Sequence, residues 1–179
     1  MIVKHAVAAL ATALVTLAAV GNAHAELYTF TGDTSSAPTF NRPVTRTALS
    51  NFGTDVRYAP FVFTASAAGA YTFITDTQRF DAYTFLYRGV FAPTAPLANL
   101  ITLSDDIPDA SHLSGFVSFV DANTTYTYVT AGFENLEGGP FVATISGPGS
   151  ITPVPEPAAY GMLLAGLALV GALGRRKAA

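Results

Sequence analysis

Two short stretches decide the fold: AYTFIT at residues 70–75 and DAYTFLY at residues 81–87. In the first, aromatic residues take every second position, which is the period of a strand with two different faces. In the second, Tyr83, Phe85 and Tyr87 fall on one face. Neither stretch has the three- and four-residue apolar spacing of an amphipathic helix. The sequence therefore predicts strands here and an all-β fold around them.

Further predicted strands lie on both sides and are separated by turns rich in Gly, Pro, Asp and Asn. They cover residues 27–31, 61–64, 100–103, 116–120, 126–131 and 141–146. Residues 34–46 and 107–114 are predicted to be loops, the first with an edge segment. Gly138 and Gly139 are predicted to supply positive φ in the last turn. About seven or eight short strands at this spacing predict a single β-sandwich or jelly roll over residues 26–147.

Composition limits what this body can bind. Residues 26–153 carry five arginines, eleven carboxylates and no lysine. Nucleic acid and anionic lipid need clustered cations, so neither is a predicted partner, whereas divalent cations and neutral glycans are compatible. The chain has no cysteine, which excludes disulfides and thiolate metal sites. All 13 Phe and seven of the eight Tyr lie in the body, which predicts an aromatic core.

The densest group of carboxylates is Asp105, Asp106 and Asp109, in the loop after the strand at residues 100–103. The candidates to join it from neighbouring loops are Asp81, Glu134 and Glu137. Hard carboxylate oxygens suit Ca²⁺, which takes about six to eight oxygen ligands, although the spacing is not that of an EF-hand. Two interpretations stay open: a calcium site at Asp81, Asp105, Asp106 and Asp109, or a solvated acidic loop. No other cofactor is predicted.

Catalytic candidates are few. Once a signal segment is removed, His112 is the only histidine, and it could form a triad only with Ser111 or Ser114 and Asp105, within one loop. No nucleophile elbow accompanies them. A glycosidase pair of carboxylates stays open, because the fold decides which carboxylates meet. We therefore expect a protein without catalytic activity.

The first 25 residues have the organisation of a secretory signal peptide. A lysine precedes an apolar run at residues 6–20, and Ala23 and Ala25 provide the small residues of a cleavage site. We expect export through the Sec translocon and cleavage by signal peptidase after Ala25. The alternative is a retained N-terminal anchor.

The other end combines three segments. Residues 148–157 are rich in proline and glycine and predict an extended, unpaired stalk that ends in Val154, Pro155, Glu156 and Pro157. An apolar run at residues 158–174 predicts one short transmembrane helix, with a C-terminal amphipathic or core helix as the alternative. Residues 175–179 contain Arg175, Arg176 and Lys177, which predict a cytoplasmic stop.

This three-part tail resembles the sorting signal of PEP-CTERM proteins, which are found in Gram-negative bacteria that make extracellular polysaccharide. The resemblance implies that an exosortase-like membrane transpeptidase cuts near Pro155-Glu156-Pro157. It also implies an inner-membrane anchored precursor and a mature protein on the cell surface or in the extracellular matrix. It implies nothing about the activity of the body.

A second resemblance covers roughly residues 60–146. Four features carry it: Asp81 before an aromatic strand, Ser104-Asp105-Asp106 after an apolar run, residues 122–128 entering a strand, and Gly138-Gly139 before the last strand. They are similar to bacterial pre-peptidase C-terminal domains, which are β-sandwich accessory modules, some of them calcium-binding or polymer-binding. That family usually has Asn where Ser104 stands.

Together these features predict a non-enzymatic, exported protein with a structural or adhesive role in an exopolysaccharide or biofilm setting. Extracellular polysaccharide is a candidate partner. The alternative is a calcium-dependent module that binds glycans or other polymers.

Overall fold

The computed structural model describes residues 25–107 and 112–155. All the regular secondary structure assigned in these two ranges is β-strand. The strands are β1 (Glu26–Asp33), β2 (Thr39–Phe40), β3 (Pro43–Thr45), β4 (Ala48–Leu49), β5 (Val56–Ala65), β6 (Gly69–Thr77), β7 (Ala82–Arg88), β8 (Leu100–Ser104), β9 (Leu113–Val120), β10 (Thr125–Gly132), β11 (Pro140–Gly147) and β12 (Ile151–Pro153). No helix in these two ranges is long and apolar enough to span a membrane. The predicted signal helix and C-terminal membrane helix lie outside the described residues.

Antiparallel pairing builds two large sheets. The first has four strands in the order β1-β11-β6-β9. The second has the order β12-β5-β10-β7-β8, with β2 also paired to β5, and β3 and β4 form a separate hairpin. From β5 onward the chain passes repeatedly from one large sheet to the other, which is the connectivity of a sandwich. The all-β, sandwich-like prediction is confirmed for the described residues.

The first core cluster packs side chains of both sheets together. Tyr71 and Phe73 of β6 are fully buried with Phe63 of β5 and Tyr128 of β10. The ring centroids of Phe63 and Phe73 are 6.0 Å apart, and those of Phe73 and Tyr128 are 5.2 Å apart. Burying one such side chain contributes about 1.5–3 kcal/mol, so this cluster is a main source of stability. The alternation predicted for AYTFIT is confirmed.

A second cluster covers the opposite face of the second sheet. Phe85 and Tyr87 of β7 are buried there with Phe40, Tyr58 and Phe91. Phe40 packs edge-on at 5.1 Å from Tyr58 and 5.2 Å from Phe91, between ring centroids. The segments that carry Phe40 and Phe91 thus close this face, which is why both faces of β7 are buried. The shared face predicted for Tyr83, Phe85 and Tyr87 is confirmed.

Strand β5 begins before Pro60, although a proline usually ends or avoids a paired strand. On one side of β5, Tyr58 N donates to Pro38 O at 3.1 Å and Val62 O accepts from Val154 N at 2.9 Å. Pro60 falls between these two partners, so its missing N–H leaves no acceptor unsatisfied. The predicted start at residue 61 was therefore too late.

Two predicted loops also contain strands. Strand β9 begins at Leu113 rather than at residue 116, because Ser114 is buried beside β7 and β8. Residues 34–46 contain β2, which pairs with the edge of β5, and β3 of the small hairpin. The predicted edge segment is thus present as β2, whereas β3 is a strand where a loop was predicted.

The last turn uses a different residue for its positive φ. Leu136 has φ 59°, whereas Gly138 and Gly139 are not in that region, so the prediction for these glycines was wrong. Gly138 is needed for space: a Cβ there would lie 2.7 Å from Thr34 Oγ1. Thr34 is buried and its Oγ1 accepts a hydrogen bond from Gly139 N at 3.0 Å. The side chain of Thr34 therefore packs directly against the backbone of the last turn.

The predicted stalk is partly a strand. Residues 151–153 form β12, with Ile151 opposite Ala65 and Pro153 opposite Phe63 of β5. Ile151 is 8% exposed and belongs to the first core cluster. The stretch is extended, as predicted, but it is not unpaired, because one apolar side chain and the free edge of β5 hold it to the body.

Candidate functional site

A carboxylate cluster forms where β7 begins and β8 ends. Asp81 directly precedes β7, and Asp105 and Asp106 directly follow β8. Because these strands are antiparallel neighbours, the start of one lies beside the end of the other. One carboxylate oxygen from each of the three residues lies within 4.8 Å of the others. The fold thus brings together three of the four residues proposed from the sequence as a metal set.

The cluster concentrates negative charge where solvent is limited. Oδ1 of Asp81 and Oδ1 of Asp105 are buried and have no hydrogen-bond partner. Burial raises the pKa of Asp81 to about 6, and the charges of Asp106, Asp105 and Glu137 act in the same direction. Burial and Asp106 also raise the pKa of Asp105, against the opposing effect of Arg42. A bound proton or cation would relieve this repulsion.

The other acidic candidates take different positions. The carboxylate of Glu137 accepts hydrogen bonds from Asp81 N and Glu134 N, each at 3.0 Å. The side chain of Glu137 therefore stabilises the turn beside the cluster, and Glu134 contributes only its backbone amide to these hydrogen bonds. Asp109 lies outside the described residues.

Arg42 is a buried neighbour that sequence reasoning missed. It is 2% exposed, its guanidinium lies 4.3 Å from the ring centroid of Tyr83 and 4.4 Å from that of Phe133, and Nε donates to Phe133 O at 2.9 Å. Nη1 has no hydrogen-bond partner. Burial lowers the pKa of Arg42, and the charges of Asp105 and Asp81 are among those that oppose this shift. No local pattern marks this arginine, since its two aromatic partners are remote in sequence: Tyr83 lies in β7 and Phe133 directly follows β10.

Of the described residues considered for catalysis, Ser114 is not positioned as a nucleophile. Ser114 is completely buried, its Oγ lies 2.7 Å from Thr84 Oγ1, and it donates to Ser104 O at 3.0 Å. The backbone carbonyl of His112 accepts from Thr77 N at 3.0 Å, which ties His112 to the end of β6. Ser111 lies outside the described residues. The hydroxyl of Ser114 therefore connects strands and is not available to a substrate.

The outward face of the first sheet is open and carries little charge. Strand register aligns Thr29, Thr144 and Ile74 in one row. The next row contains Thr31, Val142 and Asp76. A groove of about 530 Å³ lies at one end of this face, with Thr31, Asp33, Asp76, Gln78 and Val142 among its lining residues. Hydroxyl, amide, carboxylate and apolar groups thus lie side by side, and none of the described residues that line the groove is cationic.

The C-terminal motif begins where the sandwich ends. Val154 N donates to Val62 O at 2.9 Å, and Val154 and Pro155 are both exposed. Glu156, Pro157, Arg175, Arg176, Lys177 and Ala23 lie outside the described residues, and Ala25 is exposed at the start of the described range. Among the described residues, the last backbone hydrogen bond therefore comes immediately before the Pro-Glu-Pro motif.

Residues 153–177 match the PEP-CTERM protein-sorting motif. The match starts at the last residue of β12 and includes every tail residue on which the sequence-based resemblance rests. That resemblance is confirmed. A PEP-CTERM motif implies export, a membrane-anchored precursor and processing by an exosortase-like enzyme at the membrane.

Other comparisons are less informative. No curated protein matches the chain significantly in sequence. Among solved structures, CBM35 from Cellvibrio japonicus Abf62 is similar with a TM-score of 0.37 and 8% identity, over 72% of this chain and 99% of that one. A likeness at this level carries no information about ligand or activity. The resemblance to pre-peptidase C-terminal domains stays a prediction.

Proposed function

We propose that the chain is a non-enzymatic β-sandwich protein of the cell surface or extracellular matrix, with a structural or adhesive role in an exopolysaccharide or biofilm setting. An exosortase-like transpeptidase delivers it through the PEP-CTERM motif. The observation that carries this proposal is the match at residues 153–177, directly joined to the last strand of the sandwich. The body is therefore the cargo of the sorting signal.

The candidate catalytic residues support a role without chemistry. The hydroxyl of Ser114 is buried in contacts with Thr84 and Ser104, so it cannot act as the nucleophile considered for a hydrolase. The carboxylate cluster therefore has no accessible serine hydroxyl from Ser114 beside it. This argues against the serine hydrolase considered from the sequence, and the glycosidase pair of carboxylates stays an open alternative.

The outward face of the first sheet supports adhesion to a neutral polymer. Its threonines and the groove residues Asp33, Asp76 and Gln78 offer donors and acceptors to the hydroxyl groups of sugars. Asp33 and Asp76 would repel polyanions. We therefore infer that a neutral extracellular polysaccharide is the candidate partner of this face.

Replacing Pro155, Glu156 and Pro157 with alanine tests the sorting proposal. The full-length precursor should accumulate in the inner membrane, because the transpeptidase no longer recognises its cutting site. Immunoblots of membrane and released fractions would measure this. Pro148→Ala, a proline change before the motif, should leave processing unchanged. Normal processing of the triple-alanine variant would overturn the proposal.

We infer calcium-dependent binding of a glycan or other polymer as a second candidate function. The observation that favours it is the pair of orphaned oxygens, Asp81 Oδ1 and Asp105 Oδ1, in a three-carboxylate cluster. Ca²⁺ would be held by Asp81, Asp105 and Asp106, with backbone carbonyls and water completing about six to eight ligands. The ion would neutralise the repulsion described above.

A thermal melt in chelator and in millimolar calcium tests this candidate. At a calcium concentration about 100 times the Kd, binding should stabilise the native protein by about 2.7 kcal/mol. Asp105→Asn should abolish the calcium-induced rise in Tm, whereas Asp55→Asn, at an exposed carboxylate that is not part of the three-residue cluster, should keep it. A wild-type Tm that is the same in chelator and in millimolar calcium would show that the proposed calcium site does not exist.

A further inference from the structure

We propose that β9 is a self-association edge, which pairs antiparallel with β9 of a second copy of this chain across a two-fold axis at Ser118. This inference is independent of the function proposed above. It rests on the hydrogen-bonding pattern, the side chains and the register of one strand.

Within residues 25–107 and 112–155, no strand pairs with the outer edge of β9 beyond Gly115. Among the described residues β9 forms a ladder only with β6, whose register is continuous from Gly69–Val120 to Asp76–Leu113. Thr77 N donates to His112 O at 3.0 Å, which identifies this opposed pair as hydrogen-bonded. Bonded and non-bonded pairs alternate in an antiparallel ladder, so even-numbered residues of β9 bond to β6. The N–H and C=O groups of Val117 and Phe119 therefore point away from the sheet.

This edge also lacks the usual protection against strand pairing. The segment FVSFV at residues 116–120 contains no charge and no proline, and its register has no bulge. Val117 is 65% exposed and Phe119 is 64% exposed on the outward face. Charges, prolines and bulges are the common devices that keep an edge strand from pairing.

The other edges of the two sheets are better protected. Strand β1 carries Glu26 and Asp33 at its two ends. The outer side of β5 is covered by β2 and β12. The ladder of β8 with β7 contains a register shift near Tyr87. Within the described chain, β9 is thus the flat, uncharged edge.

The strand is complementary to itself, which identifies the occupant. With Ser118 on the axis, Val117 of each copy lies opposite Phe119 of the other, and their four free N–H groups and four free C=O groups supply four backbone hydrogen bonds. On the inward face Phe116 lies opposite Val120. No charged side chain falls in the paired segment, so a second copy meets neither an unmatched charge nor a clash of faces.

The loop before β9 limits the length of the paired segment. Ile107 N donates to Leu113 O at 2.7 Å, and a Cβ on Gly115 would lie 3.1 Å from Ile107 Cδ1. The edge is thus occupied up to Gly115, and pairing is confined to residues 116–120. So small an interface suits a weak, concentration-dependent dimer with a Kd on the order of micromolar or weaker.

Cysteine cross-linking tests the register. The chain has no cysteine, so any disulfide formed by Ser118→Cys joins two copies. Ser118 would face its own copy in a non-hydrogen-bonded pair, where Cα atoms are about 4.5 Å apart and disulfide geometry is allowed. Mild oxidation of the full chain in isolated membranes should give a covalent dimer. Thr29→Cys, exposed on the opposite edge strand β1, should give little.

A charge on the edge tests the association itself. Val117→Lys should shift the full chain, in mild detergent, to monomer in sedimentation measurements, because each lysine would lie opposite Phe119 of the other copy and diagonally across the axis from the second lysine. Leu27→Lys is the matched control: Leu27 is 69% exposed on the same face, at the β1 edge, and should leave the dimer intact. Unchanged circular dichroism would show that both variants fold. A monomeric wild type, equal cross-linking at both cysteines, or a dimer that survives Val117→Lys would overturn the proposal.

Discussion

At the scale of single residues, Asp81 makes the clearest prediction about pH. Its pKa is raised from 3.8 to about 6 by burial first and then by its acidic neighbours. The native state therefore binds a proton more tightly than the unfolded state between these two values. The corresponding contribution to stability is fully present below pH 3.8 and is lost as pH rises through about 6.

We therefore expect Asp81→Asn to flatten the pH dependence of stability. In chelator, the wild-type Tm should fall between pH 4 and pH 7 more steeply than that of the variant, and the variant should be the more stable protein at pH 7. Thermal melts across this range measure the difference, with Asp55→Asn as the control. If Tm falls with pH equally in wild type and Asp81→Asn, the charged form of Asp81 does not destabilise the native state and the prediction is wrong.

The same residues show how far sequence reasoning reaches at this scale. Asp81 and Asp105 could be proposed as neighbours, because carboxylates at the start of one strand and the end of the next meet when those strands pair antiparallel. Arg42 could not be predicted to lie buried near them, because its burial depends on Tyr83 and Phe133, which are remote in sequence. Glycine composition likewise could not show that Leu136 takes the positive φ.

At the scale of elements, β12 holds the sorting motif to the sandwich. Ser150 O accepts from Ser66 N, and Val154 N donates to Val62 O, both at 2.9 Å. Alternation then makes Thr152 the residue between them that bonds to β5, and turns the nitrogen of Pro153 away from β5. A proline is tolerated at residue 153 for this reason, and it would not be tolerated at residue 152.

Thr152→Pro should therefore loosen β12 without unfolding the body. Loss of about one hydrogen bond, worth about 1 kcal/mol, should speed hydrogen exchange at the Val154 and Ser66 amides about fivefold. Pro153→Ala is the matched control and should leave both amides protected. Equal exchange in wild type and Thr152→Pro would contradict the ladder described for β12.

The long strands were predictable and the short ones were not. Aromatic alternation located β6 and β7 because each buries two or more rings on one face, and that burial outweighs local turn preferences. Strand β12 was missed because a proline- and glycine-rich composition predicts an unpaired chain. A single buried side chain, Ile151, and an available edge of β5 are enough to pair it.

At the scale of the whole molecule, the connection between the sandwich and the sorting motif is short, and this affects how the motif can be reached. From Val154 to the start of the proposed membrane helix at residue 158, an extended chain spans only about 13 Å, at about 3.3 Å per residue. The sandwich of the proposed precursor would therefore rest close to the membrane surface. An exosortase-like enzyme would meet a motif directly beside a folded domain.

The intact mass of the mature protein from cells would show whether an exosortase-like enzyme processes this sandwich. We expect a species that begins at Glu26 and has lost the apolar tail after Pro155-Glu156-Pro157, with any group added by transpeptidation appearing as extra mass. The triple-alanine variant should keep the whole tail. A wild-type mature protein that still contains residues 158–179, or identical masses for wild type and variant after allowance for the substitutions, would contradict the claim that this sandwich is exosortase cargo.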